Sequence, residues 1–156
     1  MGRSIRDVRV GRRGPIPRED TVQIRYADDQ LTYRPGACNI GPQEIAYRRR
    51  AGYIGLGITA AIALGLVLLD AAPWTRLLVF PTLAGSLVSL EQARRHFCAG
   101  FAMAGIRNFG TRDRGRGQAI EDPAARAIDR RAALILFGYC SLIAAVITLL
   151  FIAAPV

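Results

Sequence analysis

Apolar and polar residues alternate along this chain in four long blocks. Residues 1–50 and 91–131 are polar and rich in arginine, whereas 51–90 and 132–156 are almost free of charge. The first uncharged run, Ala51 to Leu69, reads AGYIGLGITAAIALGLVLL. Its length approaches the roughly 20 residues an α-helix needs to cross a hydrocarbon core about 30 Å thick. Arg48, Arg49 and Arg50 stop it at one end and Asp70 at the other. The second run, Leu77 to Leu90, is short for a crossing. It gains length if Trp74 sits in an interfacial aromatic belt and Arg76 snorkels outward. The third run begins at Ala132. The pattern predicts an all-α membrane protein with three transmembrane helices, at about 51–69, 73–93 and 132–153, arranged as a hairpin plus a third span. A re-entrant second segment is the competing reading. A soluble core of this size rarely hides three uncharged runs.

Local signals set the boundaries. Before span one, Asn39 or Gly41 can cap a helix, Pro42 suits its first position, and Glu44 sets a carboxylate near the positive helix end. That helix should run from Pro42 to about Leu69, with Tyr47 and Arg48–Arg50 as headgroup anchors. The apolar patch 97–106, FCAGFAMAGI, is too short to span and is expected to continue the second helix along the interface. Residues 107–117 form a polar loop. Asp122 as cap and Pro123 as first residue then restart a helix that passes Arg126, Arg130 and Arg131 before entering span three. The chain thus divides into an arm, 1–35, and a membrane domain, 36–156, with a loop at 94–131. Within the arm, Thr21–Tyr26 and Leu31–Tyr33 flank Ala27-Asp28-Asp29-Gln30 and predict a short β-hairpin at 21–33.

Charge gives the spans a direction. Residues 1–50 hold 11 arginines against 6 acids and residues 91–131 hold 9 against 5, while Asp70 and Arg76 cancel between them. With three alternating spans, both basic blocks fall on one side. By the positive-inside rule that side is the cytoplasm, so the N-terminus is cytoplasmic and the C-terminus lies outside. Interface anchors are expected at Tyr47, Arg48, Arg49, Arg50, Trp74, Arg76, Arg130 and Arg131. The basic blocks suit anionic lipid headgroups. Arg112–Gly117 resembles an RGG segment, but acids are interleaved and topology already accounts for the arginines, so nucleic acid is not an expected partner.

Two rows of small residues suggest helix packing. Gly57, Ala61 and Gly65 on span one and Pro81, Gly85 and Ser89 on span two recur every four residues, and the two rows are expected to face each other. Candidate chemistry is sparse. Cys38 and Cys98 flank the hairpin on the cytoplasmic side with His96 nearby, a conceivable soft-metal or redox set without a fourth ligand. Cys140, inside span three, reads as a packing residue. No catalytic triad, zinc-protease motif, phosphate loop or dinucleotide fingerprint is present. The spans hold no internal Asp, Glu, Lys, Arg or His, which argues against ion transport or haem ligation by this chain alone. No cofactor is expected.

The motifs Cys38-Asn39-Ile40-Gly41-Pro42, Arg48-Arg49-Arg50-Ala51-Gly52, Phe97-Cys98-Ala99-Gly100 and Asn108-Phe109-Gly110 resemble a group of small bacterial inner-membrane proteins of unassigned activity. The resemblance covers roughly 36–156 and implies a bacterial inner-membrane location. The first functional expectation is a non-catalytic accessory or scaffolding subunit of a larger membrane assembly, for example an energy-converting complex. A cytoplasm-facing thiol or metal site and an oligomeric transport component are the alternatives.

Overall fold

The computed structural model describes residues 32–110 and 117–155. Helix α1 spans Pro42–Leu68, with Gly41 as N-cap and Pro42 opening it. The chain reverses through Asp70, whose φ of 46° lets Ala71 N–H reach back to the Leu66 carbonyl. A 3-10 turn, Pro73–Leu78, leads directly into α2, Val79–Arg95. Then come α3, Ala99–Ala104; strands β1, Ile106–Arg107, and β2, Gln118–Ala119, paired antiparallel; and α4, Pro123–Ala153. The Asp122 carboxylate caps α4 by accepting from Ala124 N (2.9 Å) and Ala125 N (3.2 Å), as the Asp-Pro signal predicts. The fold is mostly helical, and α1 and α4 are long and apolar enough to cross a membrane. The hairpin predicted at 21–33 lies outside the described residues apart from Thr32 and Tyr33, which belong to no strand.

Helix α2 is central, with α1 packed on one side and α4 on another. Where α1 meets α2, a methyl added at Gly52 would sit 3.2 Å from the Leu90 backbone nitrogen, and one at Gly55 would collide with Ser86 Oγ. Continuing this antiparallel register one turn brings Arg48 level with Arg94. On the other side Val79 and Leu83 cluster with Ala144, while Phe97 clusters with Ala133, Leu136 and Cys140. The 3-10 turn and α2 therefore rise beside the whole apolar run of α4. At about 2.0 Å per residue for six residues and about 1.5 Å for 17, they measure roughly 37 Å.

Three expectations fail here. Gly57, Gly65 and Gly85 have open space where a Cβ would stand, and Ala61 and Pro81 are exposed, so the two small-residue rows do not face each other. Ser89 is half-buried. The face that is used carries Gly52, Gly55 and Thr59. The second helix does not continue along the interface either. It stops at His96, which adopts the left-handed conformation (φ 55°, ψ 32°), and Phe97 N–H turns back to the Gln92 carbonyl. The third correction concerns Arg76. It is buried rather than snorkelling: its Nη1 donates to the carbonyls of Phe151 (3.0 Å), Ile152 (3.3 Å) and Ala154 (2.9 Å), and its guanidinium lies 5.2 Å from the Phe151 ring centroid. The carbonyls at a helix C-terminus lack intrahelical donors and carry partial negative charge, so they draw the guanidinium inward.

Candidate functional site

A buried polar cluster lies at the arginine-rich end of the bundle, where residues 39–41, 96–99 and 107–110 cross. Asn39, fully buried, ties all three. Its N–H donates to the His96 carbonyl (3.2 Å) and its own carbonyl accepts from Asn108 N (2.9 Å). Its side-chain amide grips the Cys98 peptide at two points: Oδ1 accepts from Cys98 N (2.6 Å) and Nδ2 donates to Cys98 O (3.0 Å). Gly41 N then donates to Asn108 O at 2.8 Å, closing a short parallel pairing of Ile40 with Asn108. Position 41 leaves little room for a side chain. A Cβ there would lie 3.0 Å from the Phe109 Cα and carbonyl oxygen, backbone atoms that cannot rotate away. Each intramolecular hydrogen bond contributes about 1 kcal/mol net, and leaving a buried partner unmade costs about 1–3 kcal/mol. The Asn39 contacts thus form a cooperative knot.

Arg48 and Cys98 extend the knot onto α1 and α3. Arg48 Nη2 donates to Cys98 Sγ at 3.1 Å, and Phe101 N donates to the same sulfur at 3.5 Å, making Cys98 the N-cap of α3. Ile40, Ile45, Ala93 and Cys98 close into one apolar cluster beneath.

A second polar contact lies beside the knot. Asp129 on α4 is fully buried; its Oδ2 accepts from the Tyr33 hydroxyl (2.9 Å) and its Oδ1 from Gly36 N (2.6 Å). Gly36 has φ of +72°, and a Cβ there would lie 3.0 Å from Ile128 Cγ2, so glycine permits both the turn and the approach to α4. Burial, followed by the hydrogen bond to Asp129 and its charge, raises the Tyr33 pKa to about 12. The Arg107 guanidinium, 5.3 Å from the Tyr33 ring centroid, partly opposes this.

The conceivable metal set does not assemble. Cys98 lies in the knot and Cys38 immediately precedes it, but His96 is exposed and contributes its carbonyl, while Cys98 Sγ is occupied by two donors. Among the described residues no three His, Cys, Asp or Glu side chains are placed to hold a metal ion. All three cysteines are free and buried, and burial pushes the Cys38 thiol pKa up against the opposing pull of Arg34. A raised thiol pKa works against thiolate reactivity. Cys140 packs with Phe97, Ala133 and Leu136. Of the anchor residues, Tyr47, Arg49, Arg50, Trp74, Arg130 and Arg131 are exposed, Arg48 is half-buried and Arg76 is buried.

Sequence reasoning missed Asn108 and Asp129 and gave Asn39 only a capping role. One signal was present: each is a short polar side chain beside apolar neighbours, in Cys38-Asn39-Ile40, Asn108-Phe109 and Ile128-Asp129. The motifs that carry the resemblance, CNIGP, FCAG and NFG, are the segments that interlock. Their arrangement can fix the mutual positions of α1, α2 and α4, and among the described residues it brings together no general acid, base and nucleophile. Compared with protein families, with curated proteins and with solved structures, the chain finds no match.

Proposed function

We propose that this chain is a three-span protein of the bacterial inner membrane that acts without catalysis, as an accessory or scaffolding subunit packed against other membrane subunits. The observation that carries the reading is the unclosed bundle. In their most apolar 18-residue windows only 11% of α1 and 22% of α4 is buried, far from the mostly buried state of a soluble core helix. The surface left over is large and apolar: Leu64, Leu68, Leu134, Ile135, Leu142 and Leu149 are among its exposed side chains. Hydrocarbon solvates such a surface; water does not. The height of the 3-10 turn plus α2, roughly 37 Å, supports a full second crossing. The level placement of Arg48 with Arg94 and the nearby Arg130 and Arg131 fit one headgroup layer, which by the positive-inside rule is cytoplasmic and anionic.

The scaffolding role rests on the face of α1 that α2 leaves open. Gly57, Ala61 and Gly65 present little side chain to lipid and permit close approach by another helix. Purification from native membranes in mild detergent, with Gly57→Leu and Gly65→Leu run in parallel, tests this. A defined co-migrating membrane protein that the leucine variants lose is the expected result. A lone monomer in every preparation refutes it.

A further inference from the structure

Among the described residues, the turn that precedes the knot is hydrogen-bonded to the bundle through one side chain, with the Arg107 guanidinium over the Tyr33 ring as its other polar contact. Residues 33–37 lie on α4 with Arg34, Pro35 and Ala37 exposed, and their remaining backbone bonds are internal: Ala37 N and Cys38 N donate to Arg34 O, and Arg34 N to Cys38 O. Among the described residues, the hydrogen bonds that tie this turn to the rest of the molecule, from Tyr33 Oη and from Gly36 N, both end on Asp129. Immediately after it the character changes. From Asn39 onward the chain is held by the buried knot, with partners on two other segments. A weakly tied turn therefore abuts a strongly tied one, and local opening occurs where few buried contacts must be broken.

We propose that Tyr33–Cys38 is a releasable strap, latched to α4 by the buried Asp129 carboxylate. Its release uncovers Cys38 and Asp129 while the Asn39–Cys98–Asn108 knot stays closed. The turn precedes the knot in sequence, so it can lift from α4 without breaking the Asn39 contacts. Opening it puts a carboxylate and a thiol at the headgroup level, beside Arg126 and Arg130 on the same helix. The buried thiol of the strap, Cys38, and that of the knot, Cys98, serve as built-in reporters of the two units.

Site-resolved maleimide labelling of the full chain in detergent, read by mass spectrometry, tests the proposal. In the unmutated protein Cys38 should label at least about tenfold faster than Cys98 and Cys140. A hydrogen bond to a charged group accounts for a change of about tenfold or more, so Tyr33→Phe and Asp129→Ala should each speed Cys38 labelling by about that factor and leave Cys98 unchanged. Alanine at 129 removes a buried charge and suits a helix, and the freed Gly36 N–H can meet water once the turn lifts. If Cys38 and Cys98 label at equal rates in the unmutated chain, strap and knot open as one unit and the proposal fails. It also fails if Tyr33→Phe leaves the Cys38 rate unchanged.

Discussion

Replacing Arg76 by alanine removes a cation that holds the last turn of α4 against the start of the 3-10 turn. One nitrogen, Nη1, reaches three carbonyls at 2.9–3.3 Å. It carries two hydrogens, so the contact amounts to two charge-assisted hydrogen bonds, each contributing about 1.5–3 kcal/mol. The arrangement also gains from the negative end of the helix and from the Phe151 ring. Against this, in the variant the freed carbonyls lie at a helix end that can fray to the interface and meet water, recovering roughly half. We expect Arg76→Ala to lose about 2–3 kcal/mol. Lysine, a point charge without the planar fork, should restore only part of that loss, and methionine, which restores bulk alone, less again. Denaturant titration in micelles followed by fluorescence measures the effect, because the chain has a single tryptophan, Trp74, two residues from Arg76. A loss below about 0.5 kcal/mol for alanine would show that the guanidinium belongs to the interface rather than to the fold.

Two more predictions follow from geometry. Gly55→Val should destabilise by about 1–3 kcal/mol, because Ser86 Oγ occupies the space a Cβ needs, whereas Gly57→Ala should be neutral or stabilise by up to about 1 kcal/mol; the same titration separates them. For Tyr33, the phenol absorbance that Tyr33→Phe removes should titrate near pH 12, returning toward 10 in Asp129→Ala. The fold favours the neutral phenol, so this contribution to stability is whole below pH 10 and fades as pH rises from 10 to 12. If the absorbance lost in Tyr33→Phe titrates near pH 10, Tyr33 makes no hydrogen bond to Asp129.

The boundaries of α1 and α4 were legible because they are written locally. Pro42 after Gly41, and Pro123 after Asp122, mark helix starts whatever the helix later packs against. The break at His96 was not legible: histidine adopts the left-handed conformation only occasionally, and beside the local Phe97 N–H to Gln92 bond the turn is met by Asn39, which donates to the His96 carbonyl from 57 positions away in sequence. Arg76 misled for a related reason. An arginine near a span end looks like a headgroup anchor until a helix C-terminus is placed beside it. The glycine rows failed because small residues mark faces that permit close approach without saying which face is used; Gly52-x-x-Gly55-x-x-x-Thr59 and Gly57-x-x-x-Ala61-x-x-x-Gly65 sit on different sides of one helix. Asn39, Asn108 and Asp129 draw their meaning from partners distant in sequence. For such residues, composition supplies only the hint that a polar group stands where an apolar one would be cheaper.

The proposed topology requires three crossings. The native cysteines report sidedness poorly, since Cys98 and Cys140 are buried and Cys38 labels only through opening of the strap. Single cysteines at the exposed positions Ala72, between α1 and the 3-10 turn, Ala104, at the end of α3, and Pro155, after α4, can do so against the unmutated chain as background. With an impermeant maleimide on intact spheroplasts, Ala72→Cys and Pro155→Cys should label from outside, and Ala104→Cys only after permeabilisation. Labelling of Ala72→Cys and Ala104→Cys from the same side would make α2 re-entrant and contradict the account.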